Sequence, residues 1–293
     1  MKLELLDFKE LNDYPSASGI EFYDDKIYLV GDNAKDMLVL NKKWKKPEYI
    51  NLFEAPAGPI PKNIKADLEA MTLLWIDKKP FMLLVGSGSN NNRNKAVLVN
   101  LKNNQLQFLD LTVFYERLKA AGITTLNIEG IATVNDYIVL VNRGNKTNPD
   151  NQLIVTNTNF WKKQKDASIQ LMRIDFGDAA PRGLGISGLT YSDNHEDLFL
   201  TVSTEDTPDA ITDGPIGKSY FGVIENLYRK IGREKGKLKV NKLIHLSSAD
   251  DRFTGYKIES VCIQSEKDHS IKFQLVADND TPVSYLFKVE VSW

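Results

Sequence analysis

The chain has 293 residues, of which 42% are hydrophobic and 26% are charged, and its formal net charge is −2. This composition is typical of a globular protein with a sizeable core, and the spread of lysine and arginine argues against nucleic acid or a membrane surface as a partner. No apolar stretch is long enough to cross a membrane, and the N-terminal segment lacks a signal-peptide cleavage site. We therefore expect a cytoplasmic monomer, or a periplasmic or secreted protein if a leader precedes this sequence.

The first predicted element is a strand at Lys2–Phe8, and five similar units follow it. Each unit opens with a signature in which Ser or Glu precedes a small residue and then an aliphatic one: Ser18-Gly19-Ile20, Glu69-Ala70-Met71, Glu129-Gly130-Ile131, Ser187-Gly188-Leu189 and Glu259-Ser260-Val261. Apolar second strands follow at 27–30, 81–85, 138–141, 198–202 and 273–276. Third strands are predicted at 37–40, 96–99, 152–155, 220–224 and 285–289, and more polar fourth strands at 47–52, 105–111, 168–174 and 237–246.

Units of four strands that recur about every 60 residues predict the blades of a β-propeller. The fifth unit lacks a fourth strand, and the strand at 2–8 fills that vacancy, which closes the ring and covers an exposed sheet edge. We therefore predict an all-β protein with a single domain at 1–293, folded as a five-bladed β-propeller with blades at 16–53, 67–112, 127–175, 186–247 and 257–293 plus 1–10. A helix is predicted at 113–121, and the loops 54–67 and 204–218 are expected to be surface features.

The signature residues predict a ring of oxygen ligands. The first strand of each blade lines the central channel, so Ser18, Glu69, Glu129, Ser187 and Glu259 should converge near the end where those strands begin. Three neighbouring carboxylates need compensating protons or a cation, and an all-oxygen site suits Ca²⁺, with Mg²⁺ as the less favoured ion. The structural alternative is that the signature only sets the phase of the blades, with water and hydrogen bonds satisfying its polar groups. Repetition at five equivalent positions favours the metal site.

The loops after the second strands should surround the same end of the channel. They include Asp32, Arg143 and Glu205. Arg143 is a candidate clamp for phosphate or carboxylate, and Asp32 or Glu205 is a candidate for positioning a water molecule as general base. Each of these residues, taken alone, is better explained as an ordinary turn residue, whereas together they favour a ligand-binding face.

At the five ring positions the chain resembles the soluble calcium-activated nucleotidases, or apyrases, because the order Ser, Glu, Glu, Ser, Glu is that of the family's axial ligands. The stretch 115–123 also looks like the family's helical connection into the third blade. The resemblance implies a five-bladed propeller with an axial Ca²⁺ and a hydrolytic site above it. The segments 31–34 and 142–145 depart from the family pattern, so the resemblance supports the metal site more than nucleotidase activity. The chain is also similar to uncharacterised bacterial propellers and, more loosely, to phytase-like and lactonase propellers.

These observations predict a Ca²⁺-dependent hydrolase of a phosphorylated or otherwise anionic small molecule. The first alternative is a non-catalytic propeller that binds a ligand or protein at its polar mouth and holds the axial ion for structural reasons. The second alternative is an ester or lactone hydrolase with the same ion. A propeller hosts many chemistries, so the fold alone does not choose between them.

Overall fold

The computed structural model describes residues 1–54, 58–61, 63–204, 217–233, 236–279 and 283–293. The chain opens with β1 (Lys2–Leu11), which belongs to the last blade. Blade 1 contains β2 (Ala17–Tyr23), β3 (Lys26–Gly31), β4 (Asp36–Asn41) and β5 (Glu48–Asn51). Blade 2 contains β6 (Leu68–Ile76), β7 (Lys79–Gly86), β8 (Lys95–Asn100) and β9 (Leu106–Asp110).

The remaining blades repeat this arrangement. Blade 3 contains β10 (Ile128–Val134), β11 (Tyr137–Asn142), β12 (Gln152–Asn157) and β13 (Gln170–Asp175). Blade 4 contains β14 (Leu184–Ser192), β15 (Asp197–Thr204), β16 (Ser219–Ile224) and β18 (Lys242–His245), and β17 (Gly236–Lys239) lies between β16 and β18 in the chain. Blade 5 contains β19 (Ile258–Lys267), β20 (Ser270–Asp278) and β21 (Ser284–Ser292), with β1 as its outer strand.

The five sheets form a closed ring. The innermost strands β2, β6, β10, β14 and β19 contact one another in that order, and β19 contacts β2 again. Each of the five hydrophobic clusters lies between two neighbouring blades, which explains why the second strands are apolar on both faces. The predicted all-β, five-bladed propeller is therefore confirmed.

The ring is closed by pairing between the two ends of the chain. Strand β1 runs antiparallel to β21, with Lys2 opposite Ser292 and Leu11 opposite Ser284. The strand is thus longer than the predicted 2–8. Leu3 and Leu5 point into the cluster between blades 4 and 5, so the pairing also buries apolar surface.

The outer strand of blade 4 differs from the prediction. We predicted one strand at 237–246, but the segment divides between two blades: β17 pairs in parallel with β13 of blade 3, and β18 pairs with β16 of blade 4. The reason is that Leu238 and Val240 are buried in the cluster between these blades. The backbone of Val240 and Asn241 then crosses from one blade to the other, bonding to Asp175 and Val223.

Helices are few among the described residues. They are α1 (Thr112–Ala120), α2 (Leu227–Lys230) and α3 (Leu246–Ala249), with short 3-10 helices at Asn91–Arg93 and Asp251–Phe253. Helix α1 confirms the predicted helix to within one residue, and it buries Phe114, Tyr115 and Leu118 between blades 2 and 3. In the part of the chain that the structure describes, no helix is long and apolar enough to span a membrane. Most of the predicted loop 204–218, and residues 55–57 and 62 of the loop 54–67, lie outside the described residues.

Candidate active site at the channel mouth

Each signature residue lies at a β-bulge in the innermost strand of its blade. The register between the first and second strands shifts at Ser18, Glu69, Glu129, Ser187 and Glu259. A bulged residue leaves the ladder, and its side chain is re-aimed relative to its neighbours. We call the end of the propeller where the first strands begin and the second strands end the channel mouth; all five bulges lie there.

The bulge also explains the small residue in the signature. A Cβ atom on Gly188 would lie 2.7 Å from the Cα atom of Ser260 and 2.8 Å from the hydroxyl oxygen of Thr201. Because inner strands of neighbouring blades approach so closely, only a small side chain fits after the bulged residue. The signature is thus partly a packing motif, as the structural alternative holds.

The two serines of the ring connect neighbouring blades. The Ser18 hydroxyl donates to the carbonyl oxygen of Leu68 at 2.7 Å, and the Ser187 hydroxyl donates to that of Ile258 at 2.6 Å. Both serines are buried. Each has given its one proton to a carbonyl, so the oxygen lone pairs remain as acceptors or ligands.

Two of the three ring glutamates contact cations of the protein itself. Glu129 Oε1 lies 3.5 Å from Arg143 Nη1 and accepts a hydrogen bond from Asn127 Nδ2 at 2.7 Å. Glu259 Oε1 lies 3.0 Å from Lys257 Nζ. These pairs supply part of the charge compensation that the sequence analysis assigned to a metal ion.

Glu69 is different, because its carboxylate has no hydrogen bond or ion pair with any other described residue. Burial raises the pKa of Glu69 well above its usual value, and the charges of Asp67, Glu129 and Asp32 raise it further, against the opposing effect of Lys65. Such a carboxylate is stabilised only by a proton or by a bound positive charge.

Next to Glu69 lies a charged cluster that the sequence analysis missed. Lys65 pairs with Asp32 and, at 2.8 Å, with Asp67, and Arg93 Nη1 lies 2.8 Å from Asp67 Oδ2. Lys65, Asp67 and Arg93 are all buried. One carboxylate oxygen each of Asp32, Asp67 and Glu69 lies within 4.8 Å of the others, which is close enough to share a cation. In this structure the Lys65 ammonium is the positive charge that pairs with two of them.

The sequence did contain a signal for part of this cluster. The position two residues before each bulged glutamate is polar or charged, and these residues are Asp67, Asn127 and Lys257. Asn127 and Lys257 contact their own Glu129 and Glu259. This recurring polar position could therefore have identified Asp67, whereas Lys65 and Arg93 reach it from separate loops.

Residues at the mouth ends of the second strands form a further layer. By strand register these are Asp32, Ser87, Arg143, Ser203 and Asp278. The structure thus brings two of the three predicted catalytic residues, Asp32 and Arg143, to the same end as the ring. The third, Glu205, lies outside the described residues.

Arg143 and Asp32 have defined surroundings. Arg143 Nη2 donates to the Ser203 hydroxyl at 2.9 Å, and a Cβ atom on Gly185 would lie 2.4 Å from Arg143 Nε, so the guanidinium fits against blade 4 only beside glycine. Asp32 uses Oδ2 for Lys65, while its Oδ1 is buried without a hydrogen-bond partner in the described structure. Burial raises the pKa of Asp32, although the Lys65 ammonium opposes the shift.

Among the charged residues of the mouth named above, together with Asp278, carboxylates outnumber cationic side chains. The acids are Asp32, Asp67, Glu69, Glu129, Glu259 and Asp278, and the cations are Lys65, Arg93, Arg143 and Lys257. The excess of negative charge repels an anion and attracts a cation. Chemically, the mouth offers oxygen ligands, an acid of raised pKa and a guanidinium within one constellation.

Comparison with known proteins places this architecture among propellers. Glutaminyl cyclase from Myxococcus xanthus aligns over 99% of this chain and 97% of its own at 8% identity, with a TM-score of 0.53. Arabinanase from Bacillus subtilis aligns over 98% of each chain at 12% identity, with a TM-score of 0.47. At 8% identity the likeness to glutaminyl cyclase shows the fold alone. A search of curated proteins found no match. A family model covers residues 13–291, and the chain therefore belongs to the family of unknown function DUF6929.

Proposed function

We propose that this protein is a Ca²⁺-dependent hydrolase of a phosphorylated or otherwise anionic small molecule, with its active site at the channel mouth. The observation that carries the proposal is Glu69, a carboxylate of raised pKa without a cationic partner among the described residues. It belongs to a ring of five bulged oxygen-bearing residues, and this supports a cation held on the axis.

The donor set fits a hard cation. Glu69 has no competing ion pair in the described structure, and the hydroxyl lone pairs of Ser18 and Ser187 remain available. Glu129 and Glu259 pair with Arg143 and Lys257, and among the described residues the carboxylates grouped with Glu69 within 4.8 Å are those of Asp32 and Asp67. Glu129 and Glu259 would therefore have to turn toward the axis to complete the oxygen set. Lys65 already neutralises part of the cluster formed with Asp32 and Asp67, so we place the ion in the ring and not in that cluster.

A bound Ca²⁺ would supply charge stabilisation: it would offset the excess of carboxylates and polarise the oxygens of an anionic substrate. Without it, an anion would meet net negative charge at the mouth. We therefore expect substrate binding and Ca²⁺ binding to be strongly coupled, each raising the affinity for the other.

The chain's own groups would carry the proton transfer. Asp32 has one oxygen fixed by Lys65 and one buried oxygen without a hydrogen-bond partner, and the latter would orient a water molecule and accept its proton. The raised pKa of Asp32 makes it a better base than an ordinary aspartate. Arg143, held by Glu129 and Ser203, would balance charge that develops on the substrate.

Thermal unfolding with Ca²⁺, Mg²⁺ or EGTA tests the ion, followed by hydrolysis assays with nucleoside diphosphates and anionic esters. At 100 times its dissociation constant a bound ion adds about 2.7 kcal/mol to the free energy of unfolding. We expect this shift with Ca²⁺ for the wild type and its loss in Glu69→Gln. Glu116→Gln, which changes an exposed acid on helix α1, is the matched control.

The outcomes separate the parts of the proposal. A Ca²⁺ shift with Ca²⁺-dependent turnover supports the enzyme. A shift without turnover favours the non-catalytic propeller with a structural ion. If Ca²⁺ raises the unfolding temperature of neither the wild type nor Glu69→Gln, or raises both equally, the proposal of an axial site at Glu69 is wrong.

A further inference from the structure

We propose that a cleft between blade 1 and the end of strand β1 binds a compact aromatic phosphomonoester. The inference does not rest on the proposed function, because the cleft lies beside the turn that joins β4 to β5, at the end of blade 1 remote from the channel mouth. Two observations carry it: an open, partly aromatic cavity, and lysines that meet beside that cavity.

The cleft encloses a cavity of about 260 Å³ with a largely apolar lining. Leu38 and Leu40 of β4 and Trp44 of the following turn belong to this lining, and all three are buried. Tyr49 of β5 also lines the cavity, yet 51% of its surface is exposed. A second cavity of about 190 Å³ lies next to the first, because Tyr14 and Tyr49 line both. Apolar walls with an accessible aromatic ring are typical of small-molecule sites.

The equivalent place in blade 2 is filled by an aromatic side chain. Strand register gives Tyr49 of β5 and Phe108 of β9 the same position in their blades. Phe108 contacts Phe53, which comes two residues after the outer strand of blade 1, and their ring centroids lie 5.9 Å apart. Two residues after β1, the outer strand of blade 5, the chain has Asp13 instead. Blade 1 therefore keeps an open cavity where blade 2 has a packed aromatic pair.

The turn from β4 to β5 concentrates positive charge beside the cavity. It contains four lysines: Lys42, Lys43, Lys45 and Lys46. The equivalent turn of blade 2 has Lys102 as its one cationic residue. Lys42 pairs with Asp25 at 3.0 Å, whereas the other three lysines of the turn form no ion pair within the described part of the chain. Their charges are available to a bound anion.

Lysines also outnumber acids in the lining itself. Lys9 and Lys45 line the cavity, and Lys9 lies on the face of β1 that packs toward blade 1. Glu10 borders the cavity too, but it lies opposite Tyr285 in the cluster between blades 4 and 5. Because side chains alternate along a strand, the Glu10 carboxylate points away from the cleft. Among the described lining residues this leaves Asp13 as the one acid beside two lysines.

The lysine-rich turn is held rigidly although its backbone is strained. Trp44 has φ +58°, in the left-handed region that bulky residues rarely adopt. Its indole N–H donates to Gln274 Oε1 at 2.9 Å, and Lys9 Nζ donates to its carbonyl oxygen at 2.6 Å. Asn41 Oδ1 accepts hydrogen bonds from two further backbone N–H groups of the turn. Strain that is maintained by such contacts clusters at functional sites, where it preorganises the groups that bind.

The lining selects the class of ligand. Ammonium groups that act as point charges suit the dianion of a phosphomonoester, and two of them compensate its charge. The leucines and Tyr49 suit a flat apolar body. A volume of about 260 Å³ is small for a ligand site, so this body is an aryl group of one or two rings. An aryl phosphate combines these properties.

The test is binding of 1-naphthyl phosphate to the full chain, measured by titration calorimetry in EGTA. EGTA withholds Ca²⁺ from the channel mouth, whose excess of carboxylates then disfavours an anion there. We expect saturable binding that is at least about tenfold weaker in Lys45→Glu and in Tyr49→Ala. The matched controls are Lys102→Glu and Phe108→Ala, the equivalent changes in blade 2, and we expect both to keep wild-type affinity.

Three results overturn the proposal. The first is that the wild type does not bind, and the second is that cleft and control variants lose affinity equally. The third is that the neutral 1-naphthol, which lacks the charge, or inorganic phosphate, which lacks the aryl group, binds as tightly as 1-naphthyl phosphate.

Lysine acetylation provides a measurement that needs no variant. In wild type treated with acetic anhydride, we expect 1-naphthyl phosphate to slow the modification of Lys45 by about fivefold or more relative to Lys102, read by peptide mapping. Equal protection of the two lysines, or protection of neither, contradicts a site in the cleft. The proposed function fails separately, because a protein that Ca²⁺ does not stabilise would still bind 1-naphthyl phosphate in EGTA.

Discussion

Glu21 allows a quantitative test of the electrostatics inside the ring. It lies on strand β2, three residues after Ser18, and its carboxylate accepts hydrogen bonds from the backbone N–H groups of Phe22 at 2.9 Å and Leu73 at 3.3 Å. Burial raises its pKa from 4.5 to about 7, more than these two hydrogen bonds can offset. The perturbation we choose is Glu21→Gln, which keeps the side-chain shape and an acceptor oxygen but removes the charge.

The sign of the effect follows from proton linkage. Below pH 4.5 Glu21 is protonated in both the folded and unfolded states, so its charge does not affect stability. Between pH 4.5 and about 7 the unfolded chain loses its proton while the folded chain keeps it, and the free energy of unfolding falls by up to about 3 kcal/mol. Above pH 7 this loss is complete. The Glu21→Gln variant does not show this loss of stability, because its side chain does not titrate.

The assay is urea unfolding of both proteins at pH 4.5, 6 and 8. We expect Glu21→Gln to gain up to about 3 kcal/mol relative to wild type between the lowest and highest pH. Taking the difference between the two proteins cancels the titration of all other groups. A stability difference that is the same at every pH refutes the reasoning, because it shows that Glu21 titrates alike in both states.

Two further predictions concern the mouth and the bulges. Lys65→Met leaves two carboxylates without their buried ammonium, so we expect the free energy of unfolding, measured with urea at pH 7, to fall by about 3 kcal/mol. The control is Lys119→Met, which removes an exposed ion pair and should cost less than about 1 kcal/mol. Equal costs for the two variants would contradict the role of burial. Gly188→Ala places a Cβ atom 2.7 Å from the Cα atom of Ser260 in the next blade, so we expect the free energy of unfolding to fall by about 1–3 kcal/mol by the same method. An unchanged free energy of unfolding would show that the inner strands can move apart.

The repeat was visible in the sequence because the inner strand of every blade packs against its neighbours in the same way. The order of polar, small and aliphatic residues at Ser18, Glu69 and their equivalents marks a bulge that recurs at one point of each inner strand. The vacancy in the last blade predicted the partner of β21 for a similar reason, since an unpaired edge must be covered. Regular features of this kind depend on local pattern and can be predicted from it.

What the sequence did not reveal depends on the path of the chain between regular elements. Lys65 lies in a long loop and Arg93 in a turn of blade 2, and they meet only at Asp67, which has φ +54° at the entrance to β6. Likewise, the apolar pattern around Leu238 suits an outer strand of blade 3 or of blade 4 equally well. Convergence of loops and a choice between equivalent neighbours are tertiary properties, so no local pattern specifies them.

The pairing between β1 and β21 has a consequence for folding during protein synthesis. Strand β1 is synthesised long before its partner β21 and can pair only when β21 emerges from the ribosome, since Lys2 lies opposite Ser292. Until then its apolar residues Leu3 and Leu5 lack the surface that buries them, and contacts of such sequence separation form slowly. Blades 1 to 4 can pair their own strands during translation, whereas the ring closes only after β21 has emerged and paired with β1. Nascent chains stalled before residue 284 should therefore expose the N-terminal strand to chaperones and proteases.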